Sequence, residues 1–251
     1  MNLILLYDDD FISDNAVRLT GRRLKHIREV HRPAIGDTLT VGRLGGLVGK
    51  GRITSVTAAA VEMEAALDEA PPKPPAVTLI LALPRPKVVK RVLLSIASLG
   101  VKRLYLINGF QVEKSYWQSP VLSPASIREA LVLGLEQARD TVLPEVALRP
   151  LFKPFVEDEL PALIRGVLPL VAHPGAGEWC PHAVAQPVTL VIGPEGGFIP
   201  YELAQLVAAG CRPVQIGARI LRVETVVPFI LGRLAAGTHS RWTAYGRFGT
   251  V

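Results

Sequence analysis

The chain has 251 residues, 49% of them hydrophobic, which suits one large or two modest domains and is ample for buried cores. A formal charge of +6 and a pI near 9.5 favour a polyanionic partner. No apolar run reaches the length of a membrane span, and the first ten residues turn acidic after Leu6 without a basic leader or a small-residue cleavage site, so no signal peptide and no membrane partner are expected, and the compartment reads as cytoplasmic. Cys180 and Cys211 are too few for a metal site by themselves; they could form a disulfide or remain plain buried residues, and no metal is expected.

Residues 1 to about 70 read as a small β-rich unit. Short strands are expected at Leu3–Leu6, Thr38–Val41, Gly51–Val56 and Ala60–Leu67, interrupted by one helical segment at Arg22–Val30. Arg18, Arg22, Arg23, Lys25, Arg28, Arg32, Arg43, Lys50 and Arg52 stand there against only Glu29 and Asp37. Such a stretch is a candidate phosphate-contacting face, the alternative being a solvated helix face with scattered loop charges. The prolines of Pro71-Pro72-Lys73-Pro74-Pro75 hold the next segment extended and mark 71–76 as a semi-rigid spacer.

Beyond the spacer the period changes. Val77–Leu83 reads as a buried strand, Lys87–Leu99 as an amphipathic helix ended by Gly100, and Val101–Ile107 as another strand. Ser126–Arg139 is a second long helix, capped by Ser123 or Ser126. Strand, helix, strand, helix means an α/β domain with a parallel sheet and crossover connections. Arg85, Lys87, Lys90, Arg91, Lys102 and Arg103 form a second basic cluster; cations at a helix start oppose its dipole, which favours a partner-facing role over ordinary surface.

Leu168–Val171 reads as a strand that ends at Ala172-His173-Pro174-Gly175, with no carboxylate placed to form a triad with the histidine. The strand Val188–Ile192 breaks at Gly193-Pro194-Glu195-Gly196-Gly197-Phe198. A helix follows with Leu203, Leu206 and Val207 on one face and Gly210 as its C-cap. The strand Pro213–Ile216 then runs into Gly217-Ala218-Arg219-Ile220-Leu221-Arg222-Val223-Glu224-Thr225. Two strand ends of one parallel sheet thus carry glycine-bearing loops, and ligands bind at such carboxyl ends. Glycines admit close approach of backbone to ligand; the plainer reading is two tight turns, and neither loop has the pattern of a phosphate cradle. The last helix is expected from Thr225 as N-cap, with Pro228 in its first turn, through Phe229, Ile230, Leu231 and Leu234; its apolar face suits a homodimer contact or core packing. In the tail, Trp242, Tyr245 and Phe248 alternate with Arg241 and Arg247, as in a segment that stacks on single-stranded RNA, or they form a frayed terminus.

Ile192-Gly-Pro-Glu-Gly-Gly-Phe198 and Ile216-Gly-x-Arg-Ile-Leu-Arg-x-Glu-Thr225 together resemble the RsmE family of ribosomal RNA methyltransferases, of the SPOUT class that carries a trefoil knot. His26-Ile27, Val30, Arg32 and Gly36-Asp37 match that family's first domain, a PUA-like barrel that handles RNA. The resemblance implies a PUA-like barrel at 1–70, a linker at 71–76 and a SPOUT domain with a C-terminal knot at 77–251. It further implies S-adenosyl-L-methionine as cofactor, a homodimer, and methylation of a uridine N3 in 16S ribosomal RNA of the small subunit. The cofactor pocket would comprise Ile192, Gly193, Pro194, Glu195, Gly196 and Gly197, then Ile216, Gly217, Ile220, Leu221, Glu224 and Thr225, with His173 at a third strand end. RNA contacts are assigned to Arg22, Arg23, Lys25, Arg28, Arg32, Arg85 and Lys87.

The chain departs from the family pattern at Leu5, where an arginine is expected, at Leu94-Ser95 and Ser98, where Gln-Lys and Glu are expected, and at Asp140, with Arg139 one place early. Uridine N3 is protonated near neutral pH, so a site for this reaction must hold a uridine anion spread over O2 and O4. A planar guanidinium suits that task, which makes Arg222 the first candidate and Arg219 the second. The alternatives are a non-catalytic RNA-binding or ribosome-assembly module, against which the intact cofactor loops argue, and a methyltransferase of the same fold acting on another RNA.

Overall fold

A computed structural model describes residues 2–235. In chain order its elements are β1 (Ile4–Leu6), β2 (Ala16–Leu19), α1 (Gly21–His26), β3 (Thr38–Arg43), β4 (Val48–Val56), β5 (Val61–Glu69), β6 (Val77–Ala82), α2 (Pro86–Ser98), β7 (Arg103–Ile107), α3 (Pro124–Ala138), β8 (Glu145–Arg149), α4 (Phe152–Pro154), α5 (Leu160–Leu163), β9 (Leu168–Ala172), β10 (Glu178–Trp179), β11 (Val188–Ile192), α6 (Pro200–Ala208), β12 (Arg212–Gln215) and α7 (Val223–Ala235). They gather into two compact units. The first takes the residues up to Pro74 together with Lys90–Lys102 and Pro120–Glu145. The second takes Pro75–Val89, Arg103–Ser119 and the residues from Val146 on.

The first unit is built on a mixed five-stranded sheet in the order β1-β3-β4-β5-β2. The β1–β3 pair is parallel and the other pairs are antiparallel. Alternation along the strands turns Ile4, Leu6, Val41, Ile53 and Met63 to one side, where Leu24 and Ile27 cover them. Register shifts at Val48/Gly49 and Ile53/Ser55 curl the long β4–β5 ribbon. The helix expected at Arg22–Val30 runs as α1 and then as a wider π turn over Ile27–His31, which ends at Arg32 with φ 47°. The strand β2 was not expected: at four residues it is too short for its alternation to stand out, and pairing with Val61–Glu64 of β5 creates it.

The second unit carries a parallel seven-stranded sheet in the order β10-β12-β9-β11-β6-β7-β8. Every residue of β11 is buried, as a central parallel strand covered on both faces requires. Its neighbours are in step, with Ile192 opposite both Ala172 of β9 and Leu81 of β6, so these strands end level. The segment from β8 through α5 was not expected either; it is anchored by Phe155, 1% exposed, against the Tyr105 ring.

Three local expectations are corrected. The helix α7 starts at Val223 and not at Thr225, because the Arg222 carbonyl accepts the N–H groups of both Thr225 and Val226 at 2.9 Å. Burying Val223, Val227, Ile230 and Leu234 on one stripe sets that phase, and it leaves Pro228 inside the helix. In α6 the buried positions are Glu202 and Leu206 while Val207 is 44% exposed, so the expected apolar face is rotated toward a carboxylate. The helix α3 begins at Pro124, two residues before the expected start, and of the two expected caps it is Ser123 whose hydroxyl accepts the Ser126 N–H. Among the described residues no helix is long and apolar enough to cross a membrane, and Cys180 and Cys211 are buried and unpaired. Burial pushes the Cys211 thiol up to about 11. Trp242, Tyr245 and Phe248 with Arg241 and Arg247 lie outside the described residues.

Candidate active site

Because β6, β7, β9, β11 and β12 run parallel in one sheet, the loops that follow them open on the same edge. The strand β9 lies between β11 and β12, so His173 stands between the two glycine-bearing loops. Its N–H donates to the Val214 carbonyl at 3.0 Å, and its ring is half-buried. Ile192, Gly193 and Pro194 are buried at the base of the first loop, while Glu195 and Gly196 are exposed at its crest. The Pro194 carbonyl accepts the Gly197 N–H at 2.8 Å, closing a tight turn with Gly197 at φ 74°. A Cβ built on Gly197, or on Gly217 of the second loop, would meet nothing within 4 Å, so open space for a ligand adjoins both backbones.

In the second loop Ile216, Gly217, Leu221 and Glu224 are half-buried, whereas Arg219, Ile220, Arg222 and Thr225 are exposed. Arg222 occupies the N-cap position of α7, where a cation opposes the helix dipole. Among the described residues no side chain pairs with the Arg219 or Arg222 guanidinium.

Two carboxylates brace this edge. Glu195 accepts the Arg85 N–H at 3.0 Å, tying the loop after β11 to the one after β6. Glu202, 3% exposed, accepts the Phe110 N–H at 2.7 Å and the Ile199 N–H at 3.1 Å, tying the loop after β7 to the start of α6. Sequence reasoning missed Glu202 and the whole Asn108–Gln118 segment. The strand end at Ile107 was legible and could have pointed to the loop behind it, but a buried acid on an amphipathic helix gives no periodic signal.

The residues assigned to RNA separate into three groups. Arg85 and Lys87 lie on the sheet edge of the second unit, both exposed. Arg22 and Arg23, in the first unit, are held by carboxylates. An Arg22 terminal nitrogen donates to both oxygens of Glu136 at 3.0 Å, and Glu136 is 1% exposed. Burial raises the Glu136 carboxyl above its ordinary value against the opposing charge of Arg22. Arg23 points inward: it pairs with both oxygens of Asp10, donates to the Leu5 carbonyl at 2.8 Å and stacks 4.5 Å from the Tyr7 ring centre. Lys25, Arg28 and Arg32 remain exposed, and the first two line an open depression of about 460 Å³ beside Glu29 and Ala58.

Positions where the chain departs from the family pattern also serve the first unit's interior. Leu5 is fully buried. Asp140, 2% exposed, accepts from the Lys102 ammonium at 2.6 Å and from the Val142 N–H at 2.9 Å. The Ser98 hydroxyl donates to the Leu94 carbonyl at 2.9 Å.

The family profile described as the RNA methyltransferase domain matches residues 71–235, a span that contains the whole candidate edge. Ribosomal RNA small subunit methyltransferase E of Mycobacterium bovis is 31% identical over 189 residues, covering 69% of this chain and 68% of that protein. The chain belongs to the ribosomal RNA small subunit methyltransferase E family. The Treponema pallidum member is 26% identical over 248 residues, 96% of this chain and 92% of its own length. The fold agrees as well: the crystal structure of methyltransferase E from Neisseria gonorrhoeae, bound to S-adenosyl methionine, matches with a TM-score of 0.69 at 20% identity, over 92% of this chain and 95% of that one. The family match thus extends over both units and is not confined to the glycine loops.

Proposed function

We propose that this protein is an S-adenosylmethionine-dependent methyltransferase acting on the N3 of a uridine in 16S ribosomal RNA of the small subunit. The observation that carries the reading is the convergence of His173 and the two glycine loops on one edge of a parallel sheet, with open space at Gly197 and Gly217. S-adenosylmethionine, when bound there, supplies an electrophilic methyl group on a sulfonium. Ile192–Gly197, Ile216, Gly217, Ile220, Leu221, Glu224 and Thr225 would hold it, largely through backbone groups, and His173 lines the space between the loops. Glu195 acts on the loop's shape through the Arg85 N–H.

Arg222 is the group that holds the uridine anion. It is exposed beside the second loop, permanently charged, and presents its donors as a planar fork to charge spread over O2 and O4. Arg219, three residues earlier in the same loop, is the second candidate. Lys25, Arg28 and Arg32 of the first unit, with Arg85 and Lys87 of the second, supply phosphate contacts. In the finer reading residues 1–70 form a PUA-like barrel, 71–76 a linker and 77–251 a SPOUT domain with a trefoil knot, and the protein works as a homodimer in the cytoplasm.

Mass mapping of ribosomal RNA from cells with and without the protein tests the activity: one uridine methyl group should disappear with it. Titration calorimetry should show S-adenosylmethionine binding and a raised melting temperature. No heat and no thermal shift at millimolar cofactor would sink the enzyme reading.

A further inference from the structure

The loop after β7 opens on the same sheet edge and has no part in the reading above. Its first residues are held from several sides. The Asn108 side chain accepts the Trp117 indole N–H at 3.0 Å, and the Asn108 N–H donates to the Arg149 carbonyl at 3.1 Å. The Val112 N–H donates to the Gly109 carbonyl at 3.0 Å, and the Phe110 N–H donates to the buried Glu202 carboxylate. Gln111 lies against Gly196 of the cofactor loop so closely that a Cβ there would come within 3.1 Å of it. On this fixed backbone the Phe110 side chain stands 75% exposed.

The same loop carries a polar arrangement. The Tyr116 phenol donates to a Glu113 carboxylate oxygen at 3.0 Å. An aromatic face exposed to water on a loop that also carries hydrogen-bonding groups, its Gln111 seated on Gly196, has the chemistry that receives an unstacked nucleobase: a π surface for its face and polar groups for its edge.

We infer that Phe110 is the stacking platform for a base of the substrate RNA, held beside the cofactor loop by Glu202 through its backbone and by the seating of Gln111 on Gly196. The inference rests on the methyltransferase reading and adds to it the residue that positions the substrate. Packing does not require a phenylalanine here, since the ring is mostly in water; the hydrogen bonds of its backbone persist whatever the side chain.

The test uses full-length protein and small ribosomal subunits that lack the methyl group, with labelled S-adenosylmethionine. Phe110→Ala should raise the KM for subunits about 5- to 140-fold, the range expected for losing one base–aromatic stack. Phe110→Trp should restore it, and cofactor affinity by calorimetry should not move. An unchanged KM overturns the inference. So does a parallel loss of cofactor affinity, which would make the ring part of the cofactor pocket, or a lighter species in sedimentation, which would make it a contact between copies. Should the wild-type protein transfer no methyl group, the reading of the activity fails on its own. Fluorescence anisotropy with a uridine-containing single-stranded RNA then judges Phe110: weaker binding by Phe110→Ala supports the stack, and equal binding overturns it.

Discussion

Arg22→Ala separates a residue that meets RNA from one that maintains the fold. Glu136 is on α3 with 1% of its surface exposed, and both its oxygens are satisfied by Arg22 at 3.0 Å. Removing one partner of a buried pair costs about 3–5 kcal/mol, since the other charge stays behind unpaired. The Arg22 side chain is 47% exposed, so water replaces part of what it supplied and the lower end, about 3 kcal/mol, applies. For a chain of this size that is a fall in melting temperature of about 6–12 °C. The pH dependence has a definite sign. Burial raises the Glu136 carboxyl above its unfolded value, and Arg22 opposes the rise. A raised carboxyl is best tolerated below the unfolded value and loses its favourable contribution as pH rises through the folded one. Without Arg22 the rise is larger, so the defect should be deepest near pH 8 and should shrink toward pH 5.5, as Glu136 takes up a proton. Differential scanning calorimetry at both pH values measures it, and Glu136→Gln in the Arg22→Ala background should recover part of the loss. A pH-independent shift, or no shift, would refute the buried-pair account and return Arg22 to the RNA-facing set.

Arg222→Ala should lower turnover about 10²–10³-fold and Arg222→Lys should recover only part of it, with cofactor affinity unchanged and partial rescue at high pH; an equal loss of cofactor affinity would show Arg222 to be a loop brace. His26 and His31 have folded values lowered by burial from 6.5, so their contribution to stability is whole above 6.5 and is lost as pH falls through the folded values. Urea midpoints should therefore drop between pH 7.5 and 5.5, and His26→Gln should flatten that drop. Lys25→Ala and Arg28→Ala should each weaken binding to the small subunit and reduce the slope of log affinity on log salt by about 1, while leaving melting temperature and cofactor affinity in place. An unaltered slope would remove the depression beside α1 from the RNA-contacting surface.

Local patterning was enough to find most elements here. The alternation in β5, the continuous apolar run of β11 and the 3.6-residue stripe of α2 are written in neighbouring residues, because strand and helix periods are properties of short windows. The two glycine loops were legible for the same reason, since each is a contiguous segment at a strand end. Strand order was not: that β9 sits between β11 and β12, and so carries His173 between the loops, is set by pairing between distant segments. Nor could charge counting tell which arginines are held by carboxylates. Arg22 meets Glu136 across 114 positions and Arg23 meets Asp10 across 13, and a single sequence holds no record of either contact. Glu202 makes the point for α6, where the apolar pattern predicted one buried face and the need of the distant Phe110 N–H and the nearby Ile199 N–H for an acceptor selected another. Side-chain period determined the pieces of this protein. Which of its charges are paired, and which loops share an edge, was decided only in the tertiary structure, because those contacts join segments far apart in the chain.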